Sequence, residues 1–170
     1  MKRLLRAALY SAVLLGMAVL VPFHHDAEAA ALPAKVAIPA IRLAVRVRAV
    51  GSASDGSMAV PAAADTVGWY AGGTVPGAQG SAVFDAHVYL AFKNLRYVRP
   101  GDRIYVTAAD GSVRTFAVAE VATYTDAAVP LAAIFTAADA AHLNLITCAG
   151  TWLPGQGTYS KRLVVYATAL

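Results

Sequence analysis

His87, Cys148 and Arg162 are far apart in the chain, yet together they have the chemistry of an acyl-transfer site. Cys148 is the only cysteine, so it has no disulfide partner within the chain. It closes the apolar run Leu143-Asn144-Leu145-Ile146-Thr147, and a strand there would hold the thiol rigidly. An unperturbed thiol titrates at about 8.5, so it needs a neighbouring cation or base to act as a nucleophile near neutral pH. The chain has four histidines. His24 and His25 end an apolar N-terminal stretch, and His142 lies six residues before Cys148, about 20 Å away along an extended strand. His87 remains, at the end of the run Ser81 to Ala86. Arg162 opens the run Leu163 to Ala167, and its permanently charged, forked guanidinium suits an oxyanion or a peptide backbone.

Each residue alone has a plainer reading: a buried thiol, a strand-end imidazole, a solvated guanidinium. Their order raises the odds. A strand followed by His, a strand carrying Cys and a strand opened by Arg would meet at one rim of a closed sheet. There they would supply a nucleophile, a proton donor for a leaving amine and an oxyanion or substrate clamp. The competing reading is a non-catalytic extracytoplasmic β-barrel binding module with an inert core cysteine.

The elements that must position these residues are short strands. Residues 36–39 form a first one, ended by Pro39. Residues 41–50 alternate, with Arg42, Arg46 and Arg48 opposite Leu43, Val45 and Val47, as a half-buried strand does. Further strands are expected over 58–61, 81–88, 102–107, 113–123, 143–147 and 163–167. Asp110-Gly111 marks a hairpin between two of them. Residues 129–141 are Ala-rich and hold one or two short helical turns; Thr136 to Asp139 has the form of a capping box. The pattern predicts an all-β fold, a barrel or sandwich.

Hydrophobic residues make up 58% of the 170-residue chain and charged residues 14%, which excludes disorder and fits one domain. The formal net charge is +4; Lys2, Arg3 and Arg6 against Asp26 and Glu28 leave +1 at the N-terminus and +3 elsewhere. The basic residues are scattered and form no block interleaved with aromatics, so nucleic acid is not an expected partner. No His, Cys, Asp and Glu pattern suggests a metal, and no cofactor is expected. The stretch from Ala7 to Phe23 is uncharged and follows the basic start, as in an export signal whose positive end stays in the cytoplasm. We read residues 1–23 as a signal-anchor, 24–35 as a linker and 36–170 as the folded domain. The domain is then extracytoplasmic and tethered to the cell membrane by a single pass.

The chain resembles the sortases, membrane-anchored cysteine transpeptidases. Asn144-Leu145-Ile146-Thr147-Cys148 is similar to the family signature Thr-Leu-x-Thr-Cys, with Asn144 replacing the first Thr. Ala86-His87 stands where the family carries its histidine. Gly68-Trp69-Tyr70, Pro100-Gly101-Asp102 and Thr158 to Val165 follow the family's order. The Ile38-Pro39 start and the run Thr66 to Tyr70 look most like class F or class E members. The resemblance implies a closed β-barrel of about eight strands with one or two short helices. It implies His87, Cys148 and Arg162 as catalytic residues, and Thr147 and Ala86 in substrate binding. The implied substrate is a Leu-Pro-x-Thr-Gly-like sorting signal of a surface protein, transferred through a thioacyl intermediate to an amine such as that of a peptidoglycan precursor. The chain is expected to act as a monomer. The loops 124–142 and 149–160 are expected to shape a small, apolar substrate pocket.

Overall fold

The computed structural model describes residues 32–170, so the proposed signal-anchor and most of the linker lie outside the described residues. Eight strands follow in order: β1 (Pro33–Ile38), β2 (Leu43–Val50), β3 (Thr66–Tyr70), β4 (Gly80–Asp85), β5 (Arg103–Ala108), β6 (Val113–Thr125), β7 (Ala141–Leu153) and β8 (Thr158–Ala169). They close into a barrel in the order β1-β2-β3-β4-β7-β8-β6-β5. The one α-helix among the described residues, α1 (Leu131–Phe135), is a short turn ahead of β7. Among the described residues no helix is long and apolar enough to cross a membrane.

The barrel's interior is filled by alternate residues of each strand, as the two-residue period requires. Ala82 and Phe84 of β4, Leu143 and Leu145 of β7, and Leu163, Val165 and Ala167 of β8 all join the main core. The residues between them face outward, yet Val83, Ile146 and Val164 are also buried, in a second small cluster closed by Ile134 of α1. Both faces of β4 and β7 are therefore covered near α1. This is why their sequences read as continuous apolar runs rather than as alternation.

Several expectations need correction. β1 begins at Pro33, inside the stretch read as linker; Pro33 is the first strand residue, where the missing N–H does least harm. The strand expected from residue 41 begins at Leu43, because Pro39 to Ile41 form a 3-10 turn that ends at Arg42 in the left-handed region (φ 54). Residues 58–61 form no strand; Met58 makes only an isolated bridge to Ser52, and the segment borders a groove. Thr66–Tyr70 pairs in parallel with β2, a strand whose two-sided burial hid its period. Thr136 does not start a helix. It ends α1, its hydroxyl donating to the Ala132 carbonyl at 2.8 Å. The Asp110-Gly111 hairpin forms as expected: Gly111 takes φ 84, and Ser112 N–H donates to the Asp110 carboxylate at 2.9 Å.

Candidate active site

Two strand pairings build the site. β7 and β8 are antiparallel, with Cys148 directly opposite Arg162. β4 and β7 are parallel as far as Asp85 beside Ile146, two residues before His87 and Cys148 respectively. The chain leaves β4 after Asp85, but Ala86 is still tied to β7: Thr147 donates its hydroxyl to the Ala86 carbonyl at 2.6 Å. Cys148 and Arg162 are thus brought together, and the Thr147–Ala86 bond holds the start of the His87 segment beside the Cys148 strand; His87 itself does not line the groove that Cys148 and Arg162 share. Thr147 and Ala86 are each 2% exposed and face the core rather than the groove, so their part is to hold the His87 segment against the Cys148 strand.

Alternation sends Cys148 and Arg162 outward, onto the face that carries Ile146 and Asp85. All four line a groove of about 880 Å³. Its walls are Met58 and Val60 from the β2–β3 connection, Tyr70 of β3, and Val129, Leu131 and Phe135 around α1. The groove is apolar as expected, but its size is near the upper end for a ligand site. The loop reading is half corrected. Residues 126–136 line the groove, whereas 149–160 belong to the β7–β8 hairpin and contribute nothing to it. The segment 52–60, of which 58–60 was read as part of a strand and none as a substrate loop, also lines the groove.

The electrostatics set a resting state. Burial pushes the Cys148 thiol above its ordinary value; the Arg162 charge pulls it down, and Asp85 and Asp126 push it further up. The balance favours the neutral thiol over the thiolate in the free enzyme. The rate of Cys148 alkylation by iodoacetamide is expected to keep rising from pH 7 to pH 9. A plateau below pH 7 in a pH–rate profile would mean a preformed thiolate and contradict this electrostatic picture.

Arg162 is held on one side. Nη1 bonds Asp126 at 2.8 Å and the carbonyls of Tyr159 and Lys161 at 3.0 Å, and Nη2 donates to the Thr158 hydroxyl at 3.0 Å. Asp126 lies just past β6, which pairs with β8 through Tyr124 opposite Arg162. The His87 ring stacks on Tyr89 with centroids 5.2 Å apart, and Tyr89 is largely exposed. His142 is not part of the site; it pairs with Asp139 at 2.7 Å.

Asn144 has a structural task. It points outward beneath α1 and donates Nδ2–H to the Ile134 carbonyl at 2.6 Å, in a fully buried position. One side chain thereby fastens the helix that walls the groove. Asn144→Ala is expected to cost about 2 kcal/mol, by leaving a buried carbonyl unpaired. In a thermal melt that is a fall of about 5 °C; an unchanged melt would contradict the assignment.

Asp85 and Asp126 are the residues that motif reading missed. Asp85 had a usable signal, since it is two residues before His87 and must share its face. Asp126 had none, because its contact with Arg162 depends on the β6–β8 pairing. Among the described residues no group of His, Cys, Asp and Glu could hold a metal.

A closed, antiparallel-rich barrel with a strand-borne thiol opposite a guanidinium at one groove, and an imidazole just past the neighbouring strand, has the parts of a cysteine acyl-transfer site. The Sortase domain family matches residues 36–170, and the chain belongs to that family: it is a sortase-type cysteine transpeptidase. Sortase C1 of Streptococcus agalactiae is similar over 81% of this chain and 66% of its own, at 25% identity with a TM-score of 0.63. Sortase C of Clostridium perfringens is similar over 82% and 70%, at 18% identity and 0.62. Sortase A of Corynebacterium diphtheriae is similar over 82% and 60%, at 23% identity and 0.62. This chain thus spans about two thirds of the length of these structures. None of the curated proteins matches it.

Proposed function

We propose that the protein cleaves a Leu-Pro-x-Thr-Gly-like sorting signal and transfers the upstream polypeptide to an amine of the cell envelope. The observation that carries this reading is the register that sets Cys148 opposite Arg162 in a largely apolar groove of about 880 Å³. Cys148 Sγ adds to the scissile carbonyl while His87 takes the thiol proton. Arg162 faces the oxyanion or the adjacent peptide backbone, giving up part of its bonding to Asp126 and Thr158. Collapse expels the glycine amine, which takes its proton from His87 and leaves a thioacyl enzyme. The acceptor amine then adds, loses its proton to His87 and releases the thiol. Thr147 and Ala86 support the substrate site from behind by holding the His87 segment in place.

On this reading the N-terminal segment tethers the enzyme to the membrane, with the barrel outside the cytoplasm and acting as a monomer. The Ile38-Pro39 start and the Thr66 to Tyr70 run favour class F or class E. The test is to incubate the full-length chain with Leu-Pro-x-Thr-Gly and Leu-Ala-x-Thr-Gly peptides, with and without a glycine-based amine. A ligated product that depends on the amine is expected. No cleavage across the panel, with Cys148 unreactive to alkylation in the folded state, would overturn the proposal.

A further inference from the structure

The groove carries one charge that the transfer chemistry leaves unused. Asp85 is the last residue of β4, level with Ile146 and so one pleat before Cys148. It lines the same groove as Cys148. Of the other charged residues lining it, Arg162 and Asp126 are spent on one another at 2.8 Å. Among the described residues Asp85 has the Ala86 backbone N–H and no side-chain hydrogen-bond partner. A basic protein has therefore placed a carboxyl with no side-chain hydrogen bond among the described residues in a largely apolar channel. Burial raises that carboxyl to about 7, against the pull of Arg162 and the backbone N–H. Such a group is costly unless something with a positive charge or a donor comes to meet it.

We infer that Asp85 is a specificity-determining residue, selecting peptides with a cationic, long-stemmed side chain close to the scissile bond on its acyl side. The inference rests on the proposed peptide-transfer reading. One pleat spans about 7 Å along the strand, the reach of one or two peptide residues from the carbonyl that Cys148 attacks. An aliphatic stem would lie along Met58, Val60 and Ile146, all of which line the channel, while its ammonium or guanidinium met Asp85. Lysine and arginine have this form; an aliphatic side chain would leave the carboxyl unpaired and desolvated.

Two readouts on the full-length chain separate this from the reading beneath it. In the first, Cys148 is modified by a cationic reagent, 2-aminoethyl methanethiosulfonate, and by the neutral methyl methanethiosulfonate; this needs no peptide turnover. The ratio of cationic to neutral rates is expected to fall about tenfold on Asp85→Ala, the effect of removing one nearby opposite charge. In the second, sorting-signal peptides carrying lysine or norleucine, in turn, at each of the two positions preceding the scissile residue are compared by kcat/KM. Wild type is expected to favour lysine at one position by about tenfold, and Asp85→Ala to lose that preference. Asp85→Asn, nearly isosteric, repeats both should the alanine variant fold poorly. An unchanged reagent ratio in the variants overturns the proposal whether or not any peptide is cleaved. Should the panel be inert while the ratio still falls, the cation site stands and the sorting-signal reading fails.

Discussion

Cys148→Ala is expected to reduce peptide transfer to background, a loss of about 10⁴-fold or more in kcat/KM. Among the described residues lining the groove, the sulfur is the strongest nucleophile available to carry the acyl chain between the leaving and incoming amines. Without it the two substitutions must merge into one direct attack, for which neither Arg162 nor His87 supplies a nucleophile. Cys148 is only half-buried, and removing its sulfur leaves the cores inside and outside the barrel intact. The melting temperature should therefore move by no more than a degree or two. Cys148→Ser makes the same point more stringently. It keeps the shape but requires His87 to activate a far less acidic hydroxyl, so transfer should also fall to near background. A steady-state assay with a fluorogenic sorting-signal peptide measures both variants. Activity within tenfold of wild type for either would remove Cys148 from the chemistry.

His87→Ala is expected to lower kcat by about 10³-fold, the middle of the range for losing a positioned acid–base group. The loss should appear in acylation and in aminolysis, since the same ring hands a proton to the leaving amine and takes one from the acceptor. Single-turnover measurements of the two half-reactions separate them. In the structure the ring rests against exposed Tyr89, so it holds little of the fold together. Stability should be nearly unchanged, and Cys148 alkylation should slow because the thiol loses its base. A variant keeping a third of wild-type kcat would contradict the role. A variant with both a large rate loss and a large drop in melting temperature would point to a scaffolding role.

Much of this site was legible because β-structure converts sequence spacing into position. Strand-His, strand-Cys and Arg-strand order predicts a shared rim once the sheet closes; the antiparallel register sets Cys148 opposite Arg162, and the parallel one runs to Asp85 beside Ile146, two residues short of His87. The barrel itself followed from many short strands with Gly, Pro and Asp-Gly punctuation. What stayed hidden has two physical causes. β3 and the outer faces of β4 and β7 are buried on both sides, so the two-residue period that reveals a strand is erased. Groove walls and ion pairs depend on tertiary pairing. Met58 and Val60 meet α1 residues across the channel, and Asp126 reaches Arg162 only because β6 lies beside β8. Asn144 shows both sides of this. Its departure from the signature was visible, but its bond to the Ile134 carbonyl needed the helix to be placed above it.

The central claim is that Cys148 carries the acyl chain. Intact-mass spectrometry tests it most directly, on the full-length chain mixed with a Leu-Pro-x-Thr-Gly peptide and no added amine, beside Cys148→Ala. The predicted result is a mass increase equal to the peptide fragment upstream of the scissile bond, present in wild type, absent in the variant and removed by hydroxylamine. Peptide cleavage with no such adduct at any time, or an adduct of the same mass on the Cys148→Ala chain, would contradict the account.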